Sequence, residues 1–185
     1  MSLRLCLFCA SSTGNDPRFV AAAAEVGTVL AARGVGLVYG GGNIGLMGAC
    51  ADAALLAGGE VIGVIPRGLE EREVAHRGLS ELVVTSTMHE RKQRMHDLSD
   101  GFIVLPGGFG TMDELFETLT WAQLDLHHKP IGLLDVAGFF APLMTFVEHQ
   151  VSTGVLQQKH RELLLVDGNA TRLVDQLVGE APPRP

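Results

Sequence analysis

Residues 102–114 read FIVLPGGFGTMDE. Four apolar residues run into Pro106, then Gly107, Gly108, Phe109 and Gly110, then Thr111, Met112 and the acids Asp113 and Glu114. The apolar run has the character of a buried strand. The glycines let the backbone turn tightly and bring its amides close to a ligand. The spacing then predicts a helix over 112–124, with Thr111 at its mouth. A helix start behind such a turn offers unpaired N–H groups and the positive end of the helix dipole. Phosphate, or another anion, fits there without a basic side chain. The competing reading is a tight turn that merely lets strand meet helix.

Strands and helices alternate along the chain, with no internal repeat. Apolar strands are expected at 3–9, 35–39, 60–66, 82–86, 101–106, 130–135 and 163–166. Helices are expected at 18–32, 46–57, 87–99, 112–124, 139–152 and 170–178, while 67–79 is charged and resists assignment. The strands are apolar throughout rather than alternating, so both faces of the sheet are covered. This is an α/β protein of three layers, an open parallel sheet with helices on both faces. Residues 1–180 are expected to form one domain, followed by a flexible proline-rich tail at 181–185. Ligands bind such sheets at the carboxyl ends of the strands. Three turns lie there: SSTGN after the first strand, GGGNIG after the second, and PGGFGT.

Composition narrows the classes. The 185 residues suffice for a substantial core, and a net charge of −7 with no dense basic run argues against a nucleic-acid partner. No apolar run reaches the roughly 20 residues that span a bilayer. No secretory signal is read in LRLCLFCASS, which is short and turns polar at once. The expectation is a soluble cytoplasmic protein. Cys6, Cys9 and Cys50 form no zinc pattern, and a redox Cys-x-x-Cys should open a helix rather than end a strand, so they read as buried thiols. GGGNIG places Gly40, Gly42 and Gly45 at dinucleotide-fingerprint spacing, but after the second strand and with no acid at the end of the next one. No Gly-Lys-Ser/Thr loop is present. Gly41, Gly42 and Gly45 are therefore read as a supporting glycine loop.

Glu114 has two readings. Thr111 and Glu114 have the spacing of a capping box, which would stabilise the helix by roughly 1 kcal/mol and do no chemistry. Alternatively, a carboxylate in the first turn, held ionised by the dipole, would face a cationic transition state or orient sugar hydroxyls or a water. Asp113 points elsewhere around the helix, and Glu117 could share the face of Glu114. Leu115, Phe116 and Leu119 are expected to form the buried stripe. Upstream, MHERKQRM crowds Arg91, Lys92 and Arg94 onto one helix, and one of them should reach the crevice to grip phosphate or carboxylate. The bland alternative is a solvated helix with a Glu90–Arg94 surface pair. His89 and His96 lie seven apart with no evident third ligand, so no metal is expected. Lys92 as a pyridoxal-phosphate anchor has no independent support, and no cofactor is expected.

GGGNIGLMG (40–48), MHERKQRM (88–95) and PGGFGTMDE (106–114), in this order, resemble the LOG ("Lonely Guy") family of cytokinin-activating enzymes, many labelled "lysine decarboxylase-like". WAQLDLHHKPIGLL (121–134) continues the resemblance, which covers about residues 3–178. It implies a Rossmann-like fold, a homodimer with active sites near the interface, and no cofactor. It implies hydrolysis of the N-glycosidic bond of a nucleoside 5'-monophosphate, typically an N6-prenylated AMP, to free base and ribose 5-phosphate. By the same resemblance Arg91 and Glu114 are the catalytic pair, and Lys92, Glu73 and Thr120 bind substrate. The turn from Gly107 through Gly108, Phe109, Gly110, Thr111, Met112 and Asp113 holds the phosphate and sugar. CASS replaces the common CGSS in the first loop, and Asp113 replaces a frequent glutamate. A general AMP nucleosidase and a nucleotide or molybdenum-cofactor carrier are the alternatives.

Overall fold

The computed structural model describes residues 2–69 and 75–182. Seven strands alternate with helices: β1 (Arg4–Phe8), α1 (Pro17–Ala32), β2 (Gly36–Tyr39), α2 (Gly45–Leu56), β3 (Val61–Pro66), β4 (Glu81–Thr85), α3 (Met88–Asp97) and β5 (Gly101–Val104). Next come α4 (Phe109–Gln123), β6 (Ile131–Leu134), α5 (Ala141–Ser152), the short α6 (Gln158–Arg161), β7 (Leu164–Asp167) and α7 (Ala170–Glu180). The strands form one parallel sheet in the order β4-β3-β2-β1-β5-β6-β7. This is a Rossmann-like arrangement. All seven strands fall where the apolar runs lie. The short α6 was not anticipated, because QKHR carries no apolar periodicity.

The uninterrupted hydrophobicity has a simple structural cause. Along β1, Leu5 and Leu7 pack to one side with α1, α2 and α7, while Cys6 and Phe8 pack to the other with α3 and α4. Residues of the central strands therefore meet a helix layer whichever way they point. The order of strands reverses at β1: β2 lies on one side of it and β5 on the other. In an open α/β sheet the crevice at that reversal, outside the carboxyl ends, is where ligands bind.

Candidate active site

A cavity of about 340 Å³ opens at that reversal. Its walls come from the turn after β1 (Cys9, Ala10, Ser11, Ser12), the end of β2 (Gly40), α2 (Met47), α3 (Met88, Arg91) and the start of α4 (Gly108 to Thr111, Asp113, Glu114). The three turns singled out in the sequence thus converge. Backbone bonds lock them together: Ala10 N–H donates to Pro106 O at 3.1 Å, and Leu46 N–H donates to Ala10 O at 3.1 Å. Gly45 makes the second contact possible. Its φ is +62°, and a Cβ there would stand 2.3 Å from the Ser11 carbonyl carbon. Gly41 and Gly42 are buried behind the cavity rather than lining it, and Gly42 bridges Ala75.

The helix behind the glycine turn starts earlier than the sequence suggests. Its N-cap is Gly108, and no side chain caps it. The first closing bond is Met112 N–H to Gly108 O, 3.0 Å. The amides of Phe109, Gly110 and Thr111 precede it and take no part in the helix ladder. Thr111 is therefore the third helical residue, not the N-cap. Glu114 is the sixth, and the first turn holds no acid. The capping-box reading of Glu114, and its hold by the dipole in the first turn, are both corrected: a glycine at 108 takes the extended cap conformation three residues upstream. Thr111 is buried and packs under Gly107, whose absent Cβ would overlap its Oγ1. Phe109 is 97% exposed at the rim. Met112 packs against the core and does not line the cavity.

Of the basic residues on α3, the structure selects Arg91. It is only 6% exposed and lines the cavity. Its Nε donates to Val64 O at 3.1 Å and its Nη2 to Gly40 O at 3.0 Å, tying it to the ends of β3 and β2. Gly40 is what lets it in, since a Cβ there would lie 2.1 Å from Nη2. Residue spacing alone had not distinguished Arg91 from its neighbours. Lys92 turns to α4 instead, donating to Asp113 Oδ2 at 3.1 Å and Glu117 Oε1 at 2.9 Å, and stands outside the main cavity. The expected Glu90–Arg94 pair gives way to a cap. Thr87 Oγ1 accepts from Glu90 N–H at 3.1 Å, and Glu90 Oε2 accepts from Ser86 N–H at 2.7 Å.

Other expectations are revised. Phe116 is 41% exposed rather than part of the buried stripe, which runs Thr111, Leu115, Thr118 and Ala122. At about 100° per residue, Phe116 is turned off that line. Thr120 is exposed and outside the cavity, and its hydroxyl donates to Phe116 O in its own helix. Glu73 and residues 183–185 of the tail lie outside the described residues. Ser11, Ser12, Met47 and Met88 line the cavity without having been named as site residues. The polar SSTGN turn was the available signal for the two serines.

All three cysteines are free and buried. Burial pushes the Cys6 and Cys9 thiols well up, with the Glu114 charge adding to both, and pushes Cys50 up to about 12. They are inert packing groups. Among the described residues, no cluster of three or more metal-ligating side chains occurs, and no helix is long and apolar enough to cross a membrane.

The cavity therefore joins two features on one helix: amides at its start that the helix ladder leaves unused, suited to an anion, and a carboxylate three residues further in, with the buried Arg91 guanidinium lining the same cavity. A family model described as possible lysine decarboxylase matches residues 47–177. A cytokinin riboside 5'-monophosphate phosphoribohydrolase from Arabidopsis thaliana is 44% identical over 179 residues, covering 97% of this chain and 84% of the relative. One from Oryza sativa subsp. japonica is 45% identical over 174 residues, covering 94% and 72%. Among solved structures, the molybdenum-cofactor carrier protein of Chlamydomonas reinhardtii superposes with a TM-score of 0.74 over 97% of this chain and 99% of that one, at 21% identity. At that identity the likeness is one of fold.

Proposed function

Because the chain belongs to the LOG family of cytokinin riboside 5'-monophosphate phosphoribohydrolases, we propose that it is an N-glycosyl hydrolase. Its substrate is an N6-prenylated adenosine 5'-monophosphate, and its products are free base and ribose 5-phosphate. The observation that carries the assignment of roles is the layout of α4. The amides of Phe109, Gly110 and Thr111 receive the 5'-phosphate. Glu114 follows three residues later, about 4.5 Å along the helix axis. That rise suits a ribose whose phosphate sits at the helix mouth and whose anomeric carbon lies deeper.

Breaking the bond from C1' to the base sends its electron pair to the base and leaves positive charge on C1' and the ring oxygen. Water supplies the new C1'–O bond, and its proton ends on the departing base. A fixed carboxylate beside the sugar stabilises that charge more than it stabilises the substrate, which is what lowers the barrier. Glu114 takes this role and orients the sugar hydroxyls or the water. Arg91, anchored to two strand ends, holds its guanidinium against the same space. Phosphate binding at the helix mouth positions the reacting atoms. Lys92 acts through Asp113 and Glu117, by holding α3 to α4. Glu73 enters through the family resemblance alone.

The protein works as a homodimer in this reading. Phe109, Phe116 and Leu124 are 97%, 41% and 60% exposed. They share one stripe of α4 and its C-cap, and Thr120 lies on it. A second copy covering the stripe would bury those side chains and bring Thr120 to the partner's site, which accounts for a substrate-binding threonine outside its own cavity.

The test is chromatography of purified protein incubated with AMP, isopentenyladenosine monophosphate and the matching phosphate-free nucleoside. Base release from the monophosphates and not from the nucleoside is expected. Tight nucleotide binding with no base release would instead make this a carrier. Cadaverine formed from lysine with pyridoxal phosphate would support a decarboxylase.

A further inference from the structure

Behind Glu114 lies a second, much smaller cavity of about 10 Å³, lined by Phe8, Lys92, His96, Glu114, Glu117, Thr118 and Trp121. On α4, Glu114, Glu117 and Trp121 stand at helical spacing, and on α3 so do Lys92 and His96, so the cavity is the seam between the two helices. Its size is that of a single water, and its lining offers the several polar partners that a buried water needs.

We infer that His96 is a positioning residue for Glu114, acting through one water held in this seam. The tautomer follows from the neighbours. Lys129 Nζ donates to His96 O at 2.7 Å and stands 3.4 Å from His96 Nδ1. An ammonium has donors only, so Nδ1 is the acceptor and Nε2 carries the hydrogen. Nε2 is buried and has no hydrogen-bond partner among the described residues. An unmet buried donor is costly, and a water that accepts from it removes the cost. That water has its own two hydrogens to give, and the carboxylates of Glu114 and Glu117 share its cavity. One oxygen of Glu114 is thereby fixed from behind, leaving the other to face the sugar. The ring itself is rigidly held, with Trp121 and His127 at 5.1 and 4.7 Å between ring centroids, and Phe102 beside it. Burial, with the charge of Lys129 and the neighbouring His127, pushes the His96 imidazole down to about 4, with Asp97 opposing, so the ring is neutral when it donates.

This rests on the reading of Glu114 as the catalytic carboxylate. The test compares His96→Phe, which fills the aromatic site without an N–H, with His96→Gln, which returns an N–H near the Nε2 position. Base release should fall about 10-fold in kcat for His96→Phe, with KM little changed, the scale of a slightly misplaced group. His96→Gln should recover most of it. Parental kcat in a folded His96→Phe overturns the inference while leaving Glu114 in place; full activity of Glu114→Gln would instead sink the parent reading. Should His96→Phe fail to fold, a high-resolution crystal structure of the unaltered protein decides. A water within hydrogen-bond distance of His96 Nε2 and the Glu114 carboxylate is expected. A dry cavity, with Nε2–H resting on the Trp121 ring, overturns it.

Discussion

The chain carries the pattern Thr-x-x-Glu at the head of α3, at 87–90, and near the start of α4, at 111–114, and these copies do opposite things. At α3 the helix begins immediately after Thr87, so the hydroxyl caps Glu90 N–H and the Glu90 carboxylate reaches back to Ser86 N–H. Both side chains serve the helix end. At α4 the helix has already begun at Phe109, behind a glycine cap with no side chain to offer. Its first amides lie outside the helix ladder, and Glu114 is the sixth helical residue rather than the third. The same pattern is a structural clasp in one place and lines a cavity with its carboxylate in the other. What decides is the residue three positions earlier: Gly108, against Val84 in the strand before α3.

The comparison can be broken experimentally, and the effects should descend in size. Glu114→Gln should lower turnover by roughly 10²–10⁴-fold, the range of a positioned catalytic group, while melting temperature stays near the parent's. A variant that melts several degrees lower and turns over normally would make Glu114 a structural residue only. Gly40→Ala should come next. Its Cβ would occupy the place of Arg91 Nη2, so the guanidinium must move, and kcat/KM should fall on the order of 10²-fold. Unchanged kinetics would show that Arg91 needs no anchorage at the strand ends.

Glu90→Gln and Thr87→Ala should act on stability alone. A lost cap costs about 1 kcal/mol, or roughly 2–4 °C of melting temperature for a chain of this size, and turnover per folded molecule should be unaltered. The smallest effect concerns pH. His96 and His127 are both lowered in the folded protein, chiefly by burial. The unfolded chain therefore binds more protons across that window. Their contribution is fully present above pH 6.5 and is lost as pH falls toward 4. His96→Phe should flatten part of that slope in a urea titration; an unchanged slope would assign it elsewhere.

How much could be read in advance follows the same physics. Strands sandwiched between two helix layers are apolar on both faces, and uninterrupted runs such as VGLVY and FIVLP declare themselves. Strand order does not, because nothing local in β1 says that β5 rather than β6 will lie against it. The convergence of the SSTGN, GGGNIG and PGGFGT turns was legible, since parallel strands put all their carboxyl ends on one side. The start of α4 was not, because glycine is a poor helix former yet an acceptable cap, and only Gly108 φ and ψ settle where the turns begin. Nor was the choice of Arg91 over Lys92 and Arg94, which depends on the room left by Gly40, a long way off in sequence. Phe116 was misplaced for a related reason. A large apolar residue on a helix is normally core, but this one is turned off the buried line onto the exposed side of α4.

The most direct measurement is a crystal structure of Glu114→Gln with AMP bound. The account predicts the phosphate against the amides of Phe109, Gly110 and Thr111, and C1' beside residue 114, with Arg91 still bonded to Gly40 O and Val64 O. A phosphate held elsewhere, or a residue 114 turned back onto the start of its own helix and away from the sugar, would contradict it.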